Sequence, residues 1–257
     1  MIEIQNLNFS YKQNVILKNV NLNIEENTLT FLLGKNGSGK STLLKCILGI
    51  LKSSPRTIKI KGNFIEEIDF KSRAKLLAYL PQVFDSKLNL SVLDVILMGK
   101  ISYYNFFEMP KSEDIIEIEN ILKSLKIEYL RHKKFSEISG GEQQLVLIAR
   151  AIIQKSKILI LDEPYSNLDI KSKYFLMDIL KGLINEGYTI LLTSHNPQDA
   201  FLFADNVVLL KNGEIFKQGK ADILSASSLS TLYDTPIDLL DTTYKNIKLC
   251  IPKRSSK

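Results

Sequence analysis

Only two cysteines, Cys46 and Cys250, occur in 257 residues, and there is no tryptophan. Two thiols so far apart in sequence are too few for a disulfide framework or a zinc site, and they fit a reducing cytosol. Uncharged apolar runs of the ~18–20 residues needed to cross a bilayer are also missing, the longest candidates being broken by Asp94, Lys100 or Asp205. The start, Met1-Ile2-Glu3-Ile4, has an acid at position 3 and polar Gln5 and Asn6 beyond it. No cationic segment leads into an apolar one, so no secretory signal is expected. The sequence shows no internal repeat, low-complexity tract or extended heptad run. It also lacks a nucleophile elbow and a cysteine–histidine pair, which leaves the corresponding enzyme classes unsupported.

What is present is ordinary globular composition, 45% hydrophobic and 24% charged. At ~150 residues per domain the length gives roughly 1.7 domains, so one large domain with an insertion and two small ones are both open. The charge of +6 permits nucleic acid or an anionic membrane surface as partner. The basic residues are scattered, however. Only Arg131-His132-Lys133-Lys134 and Lys253-Arg254 cluster, and both read as solvated surface.

Along the chain, Ile2, Ile4, Val15, Leu17, Val20, Leu22 and Ile24 alternate as in half-buried antiparallel strands. Thr28 to Leu33 is instead a continuous apolar run, the pattern of a strand covered on both faces. From Ser41, Leu43, Leu44, Ile47, Leu48 and Leu51 recur at helical spacing, so strand, glycine-rich turn and helix follow directly. A block from about Ser86 to Gln154 reads as helical. Within it Pro110 and Ser112 precede Glu113 and Asp114 at a helix start, and Ile115, Ile118, Ile121, Leu122 and Leu125 form its apolar face. Strands return at Ile158 to Leu161 and Thr189 to Leu192, and Asn212-Gly213 between Val207–Leu210 and Ile215-Phe216 signals a hairpin. The pattern predicts one α/β domain interrupted by a helical insertion.

Gly34-Lys35-Asn36-Gly37-Ser38-Gly39-Lys40-Ser41-Thr42 satisfies the phosphate-loop pattern, which arises by chance in about one chain in a hundred of this length. Glycines let successive N–H groups turn toward phosphate oxygens, and the following helix adds its positive end. Lys40 is then expected to reach the β and γ phosphates and Ser41 to ligate magnesium. Ile158 to Leu161 ends in Asp162-Glu163, which puts carboxylates at the carboxyl edge of a parallel sheet. Asp162 can hold magnesium through water, and Glu163 can orient or deprotonate an attacking water. Ser139-Gly140-Gly141-Glu142 precedes a helical run and reads either as a plain capping box or as a second anion site at an uncovered helix start.

In this order, the phosphate loop, the Ser-Gly-Gly helix start and the Asp-Glu strand closely resemble the nucleotide-binding subunit of ATP-binding cassette (ABC) transporters, along essentially the whole chain. The resemblance implies a RecA-like P-loop NTPase core (1–85 and 157–220) with an N-terminal antiparallel β subdomain. It adds an inserted α-helical subdomain (86–156) carrying the signature element, and a C-terminal extension (221–257). It implies a head-to-tail homodimer in which Ser139, Gly140, Gly141 and Glu142 of one subunit close over ATP held by Gly34, Asn36, Gly37, Ser38, Gly39, Lys40, Ser41 and Thr42 of the other. By the same resemblance Tyr11 stacks on adenine, and Gln82 touches magnesium and the attacking water. His195 contacts the γ phosphate, and Asp169 is the key acid of the Ser166-Asn167-Leu168-Asp169 loop at the dimer interface. The expected catalytic set is Glu163, His195, Lys40 and Gln82, the magnesium set Ser41, Gln82 and Asp162, and the cofactors ATP and Mg2+.

Three residues depart from the common family pattern: Ile138 for Leu before Ser139, Glu142 for Gln, and Tyr165 for Thr after Pro164. The first two remove no donor aimed at phosphate, while the aromatic bears on interface packing. A transport role implies a membrane permease docking near Leu90 to Met98 and Tyr103, Tyr104, Phe106 and Phe107, although such an aromatic run equally suits a core. Val95-Ile96-Leu97-Met98-Gly99-Lys100 and Leu232-Tyr233-Asp234-Thr235-Pro236 resemble the importer branch for iron–siderophore, haem and cobalamin. The resemblance therefore implies an ATPase powering uptake of a metal chelate, peripheral on the cytoplasmic membrane face, with an extracytoplasmic binding protein acting indirectly. Zinc, manganese or molybdate import is the alternative. A non-transport ABC ATPase on nucleic acid or ribosomes is weaker, and no nucleic acid is expected.

Overall fold

A computed structural model describes residues 2–82, 84, 89–105, 108–166, 168–243 and 247–253. Met1, Ser86, Phe106, Phe107, Asn167 and Arg254, named above, lie outside them. The chain forms two compact units, one from residues 1–68 with 189–257 and one from 69–188.

The first unit opens with β1 (Ile2–Tyr11) and β2 (Asn14–Ile24), paired antiparallel with Ile2 opposite Ile24 and Phe9 opposite Leu17. Ile2, Ile4, Leu17, Val20, Leu22 and Ile24 are buried as expected, while Val15, expected on the same face, is 50% exposed and Leu7, out of step with the alternation, joins the core. The register slips between Ile4 and Leu7, near Asn6 and Asn19, which take positive φ of 51° and 45°. Extra residues at such bulges bend and twist the ribbon. β3 (Leu29–Leu33) is buried at every position and leads through the glycine turn into α1 (Lys40–Ile47). β4 (Ile58–Ile60) and β5 (Asn63–Phe64) extend the first ribbon into a sheet ordered β2-β1-β4-β5.

The second unit contains α2 (Phe70–Leu76), β6 (Leu77–Leu80), α3 (Val92–Leu97), α4 (Ser112–Ser124), α5 (Gly140–Ile153), β7 (Ile158–Leu161) and α6 (Ile170–Asn185). β6 and β7 pair in parallel, Leu80 opposite Leu161. The helical reading of this block holds among the described residues. Val92, Val95, Ile96, Ile118, Leu122 and Leu125 are core, while Met98, Ile101 and Tyr103 are exposed. Tyr104 turns inward, its hydroxyl donating to Asp114 Oδ2 at 2.6 Å. Asp114 also accepts from the Lys111 N–H at the start of α4 and from Lys100, which is buried and pairs with Glu117 as well. A lysine drawn under the surface in this way keeps its charge because two carboxylates face it.

The chain then returns to the first unit with β8 (Thr189–Ser194), α7 (Pro197–Phe203), β9 (Asn206–Lys211), β10 (Glu214–Gly219), α8 (Ala226–Tyr233), β11 (Ile237–Asp241) and β12 (Lys248–Pro252). β8 and β9 flank β3 in parallel, and β10 turns back on β9 through Asn212-Gly213, both at positive φ. That is the conformation the Asn-Gly hairpin signal demands. Leu33 is partnered with Ser194, so Gly34 and His195 leave adjacent strands at the same edge.

Candidate functional site

The first unit holds the phosphate loop. A β-carbon at Gly34 would lie 2.5 Å from the Leu210 carbonyl oxygen and 2.5 Å from Ser38 Oγ, so only glycine lets the loop start this close to β9. The curl is closed by the Ser38 N–H donating to the Lys35 carbonyl, and it is held from outside by the Gly213 N–H donating to the Ser38 carbonyl, both at 3.1 Å. Gly39, at φ 105°, is the N-cap of α1, whose first turn carries no acid. The positive end of α1 is thus left for an anion. Lys40 is 5% exposed, and its ammonium donates to the Gly34 carbonyl at 2.8 Å and the Lys35 carbonyl at 3.1 Å, directly over the loop. Ser38 Oγ is buried with no hydrogen-bond partner in the protein, the state of a hydroxyl suited to meet a ligand oxygen. Ser41 and Thr42 follow in the first turn of α1. Tyr11 ends β1, 46% exposed as a residue, with its ring edge-on to Phe9. His195 follows β8 immediately and precedes Asn196, the N-cap of α7.

The second unit holds the carboxylates. β7 ends at Leu161, and Asp162 follows it 2% exposed, its N–H donating to the Leu80 carbonyl. Burial, and after it the negative charge of Asp162, pushes the Tyr79 hydroxyl up to about 12. Glu163 stands at φ 48°, a left-handed conformation uncommon for a side chain of this size, and its Oε2 accepts from Gln82 Nε2 at 3.2 Å. Gln82, Glu163, Gly140, Gln143, Ser166 and Leu168 share the lining of a cavity of about 270 Å3. The start of α5 therefore faces the same space as the glutamine–glutamate pair.

Ser139 caps α5 reciprocally: its Oγ accepts from the Glu142 N–H at 3.3 Å, and Glu142 Oε2 accepts from the Ser139 N–H and hydroxyl at 2.8 Å. The capping-box reading of these residues is correct, and it coexists with an uncovered helix start, since a β-carbon at Gly140 would meet nothing within 4 Å. Burial alone would raise the Glu142 carboxyl. Hydrogen bonds from Ser139 and from the Tyr129 hydroxyl outweigh it and hold the group below the usual glutamate range. Asp169 caps α6 through the Ser172 N–H at 2.7 Å, which lowers its carboxyl in the same way. Ile138 and Tyr165 are both buried, with the Lys173 ammonium 5.2 Å from the Tyr165 ring.

The residues assigned to magnesium supply a hydroxyl from Ser41, an amide oxygen from Gln82 and the sheltered carboxylate of Asp162. Oxygen donors alone suit a hard divalent cation and not a thiophilic one. The donor chemistry therefore fits magnesium.

Residues 17–166 match the family model described as ABC transporter. This chain belongs to the ABC transporter ATP-binding family. It is 39% identical over 243 residues to a probable iron chelatin transport ATP-binding protein of Helicobacter pylori (strain ATCC 700392 / 26695), covering 93% of this chain and 95% of that one. A structure described as an inward-facing conformation of a putative metal-chelate type ABC transporter superposes with a TM-score of 0.86 at 30% identity, over 98% of this chain and 97% of that chain. A dimeric bacterial ABC transporter cassette gives 0.77 at 31% identity, over 86% and 99%. As an ABC ATPase with the P-loop NTPase fold, the protein binds and hydrolyses ATP.

Sequence reasoning missed the contacts that tune these ABC elements. Tyr129 reaches Glu142 from 13 positions away, Gln143 Nε2 donates to the Phe135 carbonyl, and Arg150 donates to the Tyr79 carbonyl beneath the Phe84 ring. No local spacing announces such pairs. A polar residue inside the apolar run of α5 was the only signal available for Arg150.

Proposed function

We propose that this protein is the ATP-hydrolysing subunit of an ABC importer for a metal chelate of the iron–siderophore, haem or cobalamin type. Two copies, arranged head to tail, enclose two ATP molecules, and a separate permease with an extracytoplasmic binding protein completes the transporter. The observation that carries the catalytic reading is Glu163, left-handed at the end of β7 and hydrogen-bonded to Gln82. On this reading residues 1–85 and 157–220 work as the catalytic core, 86–156 as the helical subdomain and 221–257 as an extension.

In the proposed mechanism the loop Gly34 to Thr42 binds the triphosphate through its backbone, Lys40 moves from the loop carbonyls to the β and γ oxygens, and Tyr11 stacks on the base. Glu163 orients and deprotonates the attacking water, with Gln82 fixing which carboxylate oxygen faces it. His195 contacts the γ phosphate, and the Ser139-Gly140-Gly141 helix start of the partner subunit, uncovered at Gly140, stabilises the charge that develops there. Ser41, Gln82 and Asp162 would hold magnesium, which when bound would neutralise charge on the phosphate oxygens. Asp169 lies at the interface between subunits. Contacts made only to the γ phosphate drive closure, so hydrolysis reopens the pair.

The exposed Met98, Ile101 and Tyr103 support a permease docking on the helical unit and, with it, a peripheral location on the cytoplasmic face of the membrane. Among the described residues no helix is long and apolar enough to cross a membrane. The similarity to the probable iron chelatin protein and the putative metal-chelate type transporter supports this cargo. Glu163→Gln is expected to bind ATP and lose turnover, and turnover near wild type refutes the role. Uptake by vesicles holding the protein and its permease, offered an iron–siderophore, manganese, zinc and molybdate in turn, tests the cargo, and stimulation by any ion other than the chelate refutes it.

A further inference from the structure

The carboxyl end of α8 touches the nucleotide-handling loops of its own unit twice. Tyr233 Oη donates to the His195 carbonyl at 3.0 Å. The next residue, Asp234, is the C-cap of α8 at φ 51°, with its carboxylate 3.1 Å from Lys35 Nζ in the phosphate loop and 2.5 Å from Lys211 Nζ.

These contacts differ in weight. Lys35 and Asp234 are each about half exposed, so water screens their attraction and the pair constrains the loop weakly. Tyr233 is half-buried, and burial first, then the neighbouring Cys250 and Asp199, pushes its hydroxyl well above the usual tyrosine range. It stays a hydrogen-bond donor throughout the working pH range.

Its acceptor is one end of a single peptide group. The other end of that group, the Asn196 N–H, donates to Ser194 Oγ at 3.0 Å. A peptide is planar, so holding its carbonyl and its N–H holds the whole 195–196 plane. The plane before it is fixed too, because Ser194 is paired with Leu33 in the parallel ladder. With both flanking planes set, the direction of the His195 Cα–Cβ bond is set, and only the side-chain torsions remain. Of the hydrogen bonds cited for this arrangement, the Tyr233 bond alone comes from outside the strand pair and its exit turn.

We propose that Tyr233 is a positioning residue for hydrolysis, whose hydroxyl grips the 195–196 peptide and so aims the His195 imidazole at the γ phosphate. The proposal rests on the role given to His195 above. Tyr233→Phe removes one oxygen and keeps the ring. Its turnover at saturating ATP should fall about five-fold, the usual net worth of one neutral hydrogen bond, with KM within about two-fold of wild type. In a His195→Ala background, followed under single-turnover conditions, Tyr233→Phe should cost nothing more, because the two act as one unit. The chain has only two histidines, so imidazole NMR gives a readout independent of activity. Tyr233→Phe should shift or broaden the His195 signal and leave that of His132 in place. Asp234→Asn should keep wild-type turnover. Unchanged turnover of Tyr233→Phe, the same five-fold loss without His195, an unmoved His195 resonance, or an equal loss in Asp234→Asn each overturns the proposal. Wild-type turnover of His195→Ala instead removes the assignment of the histidine, and the positioning role with it.

Discussion

Gly213 is not itself assigned to ATP, yet replacing it with alanine should weaken nucleotide binding. The turn sits at φ 82°, and an added β-carbon would lie 2.1 Å from the Ile16 carbonyl oxygen, 0.9 Å inside the 3.0 Å limit of real contacts. Both partners are backbone, in β2 and in the hairpin, so neither can swing aside. Left-handed alanine costs about 1 kcal/mol, and overpacking against main chain adds about 1–3 kcal/mol, for a total of about 2–4 kcal/mol. For a protein of this size that lowers the melting temperature by roughly 5–15 °C. The same shift pulls the Gly213 N–H away from the Ser38 carbonyl, now at 3.1 Å, and loosens the phosphate loop. Loss of that bond should weaken affinity for a fluorescent ATP analogue about five-fold. Asn212→Gly, which relieves a φ of 51° without adding an atom, is the control and should melt within about 2 °C of wild type. A Gly213→Ala protein with wild-type melting and wild-type affinity would refute both the steric argument and the claim that the hairpin buttresses the loop.

Glu142→Gln should destabilise α5 by about 1 kcal/mol at neutral pH, the usual size of a capping contribution. Because the folded Glu142 carboxyl lies below its ordinary value of 4.5, its contribution is complete above that pH and drains away as pH falls through the folded value. Urea titrations should therefore show wild type and Glu142→Gln converging below pH 4.5, and a gap that persists there contradicts the cap. Lys100→Met leaves Asp114 and Glu117 without their shared cation, and about 3 kcal/mol of stability should go with it; a loss under about 1 kcal/mol in chemical denaturation would show the network to be no more than a surface pair. Burial pushes the Cys46 thiol up to about 12, while Cys250 is only half-buried. A thiol reagent at pH 8 should label Cys250 first and reach Cys46 only after unfolding, a sequence that peptide mapping of the labelled chain checks.

Much of this architecture could be read directly. Leu29 to Leu33, apolar without alternation, is buried at every position, and the alternating β1 and β2 pair as their spacing implies. The phosphate loop was legible because glycine, lysine and serine occur at fixed offsets along one short stretch. β6 was hidden because Leu77-Ala78-Tyr79-Leu80 is brief and directly continues α2, so neither a turn nor a period marks its beginning. The terminal hairpin of β11 and β12 was obscure for another reason: its strands carry Asp238, Asp241 and Lys248 among apolar residues and give no clean alternation. At the candidate site the residue types were plain. The Tyr233–His195 and Tyr129–Glu142 bonds join segments 38 and 13 positions apart, and such separations are fixed by tertiary packing that local pattern does not encode.

The division of the first unit into two stretches of chain has a consequence for biosynthesis. β3 carries five buried residues, but its first ladder partner, Ile190 opposite Leu29, is 161 positions further along. At about 5–20 residues per second, a ribosome needs roughly 10–30 s to deliver it. The stretch from Asp69 to Tyr188 is contiguous and emerges whole in that interval. Nascent chains thus pass through a stage in which the helical unit can be finished while Leu29 to Leu33 is still uncovered, and the nucleotide cradle is among the last parts of the molecule to take shape.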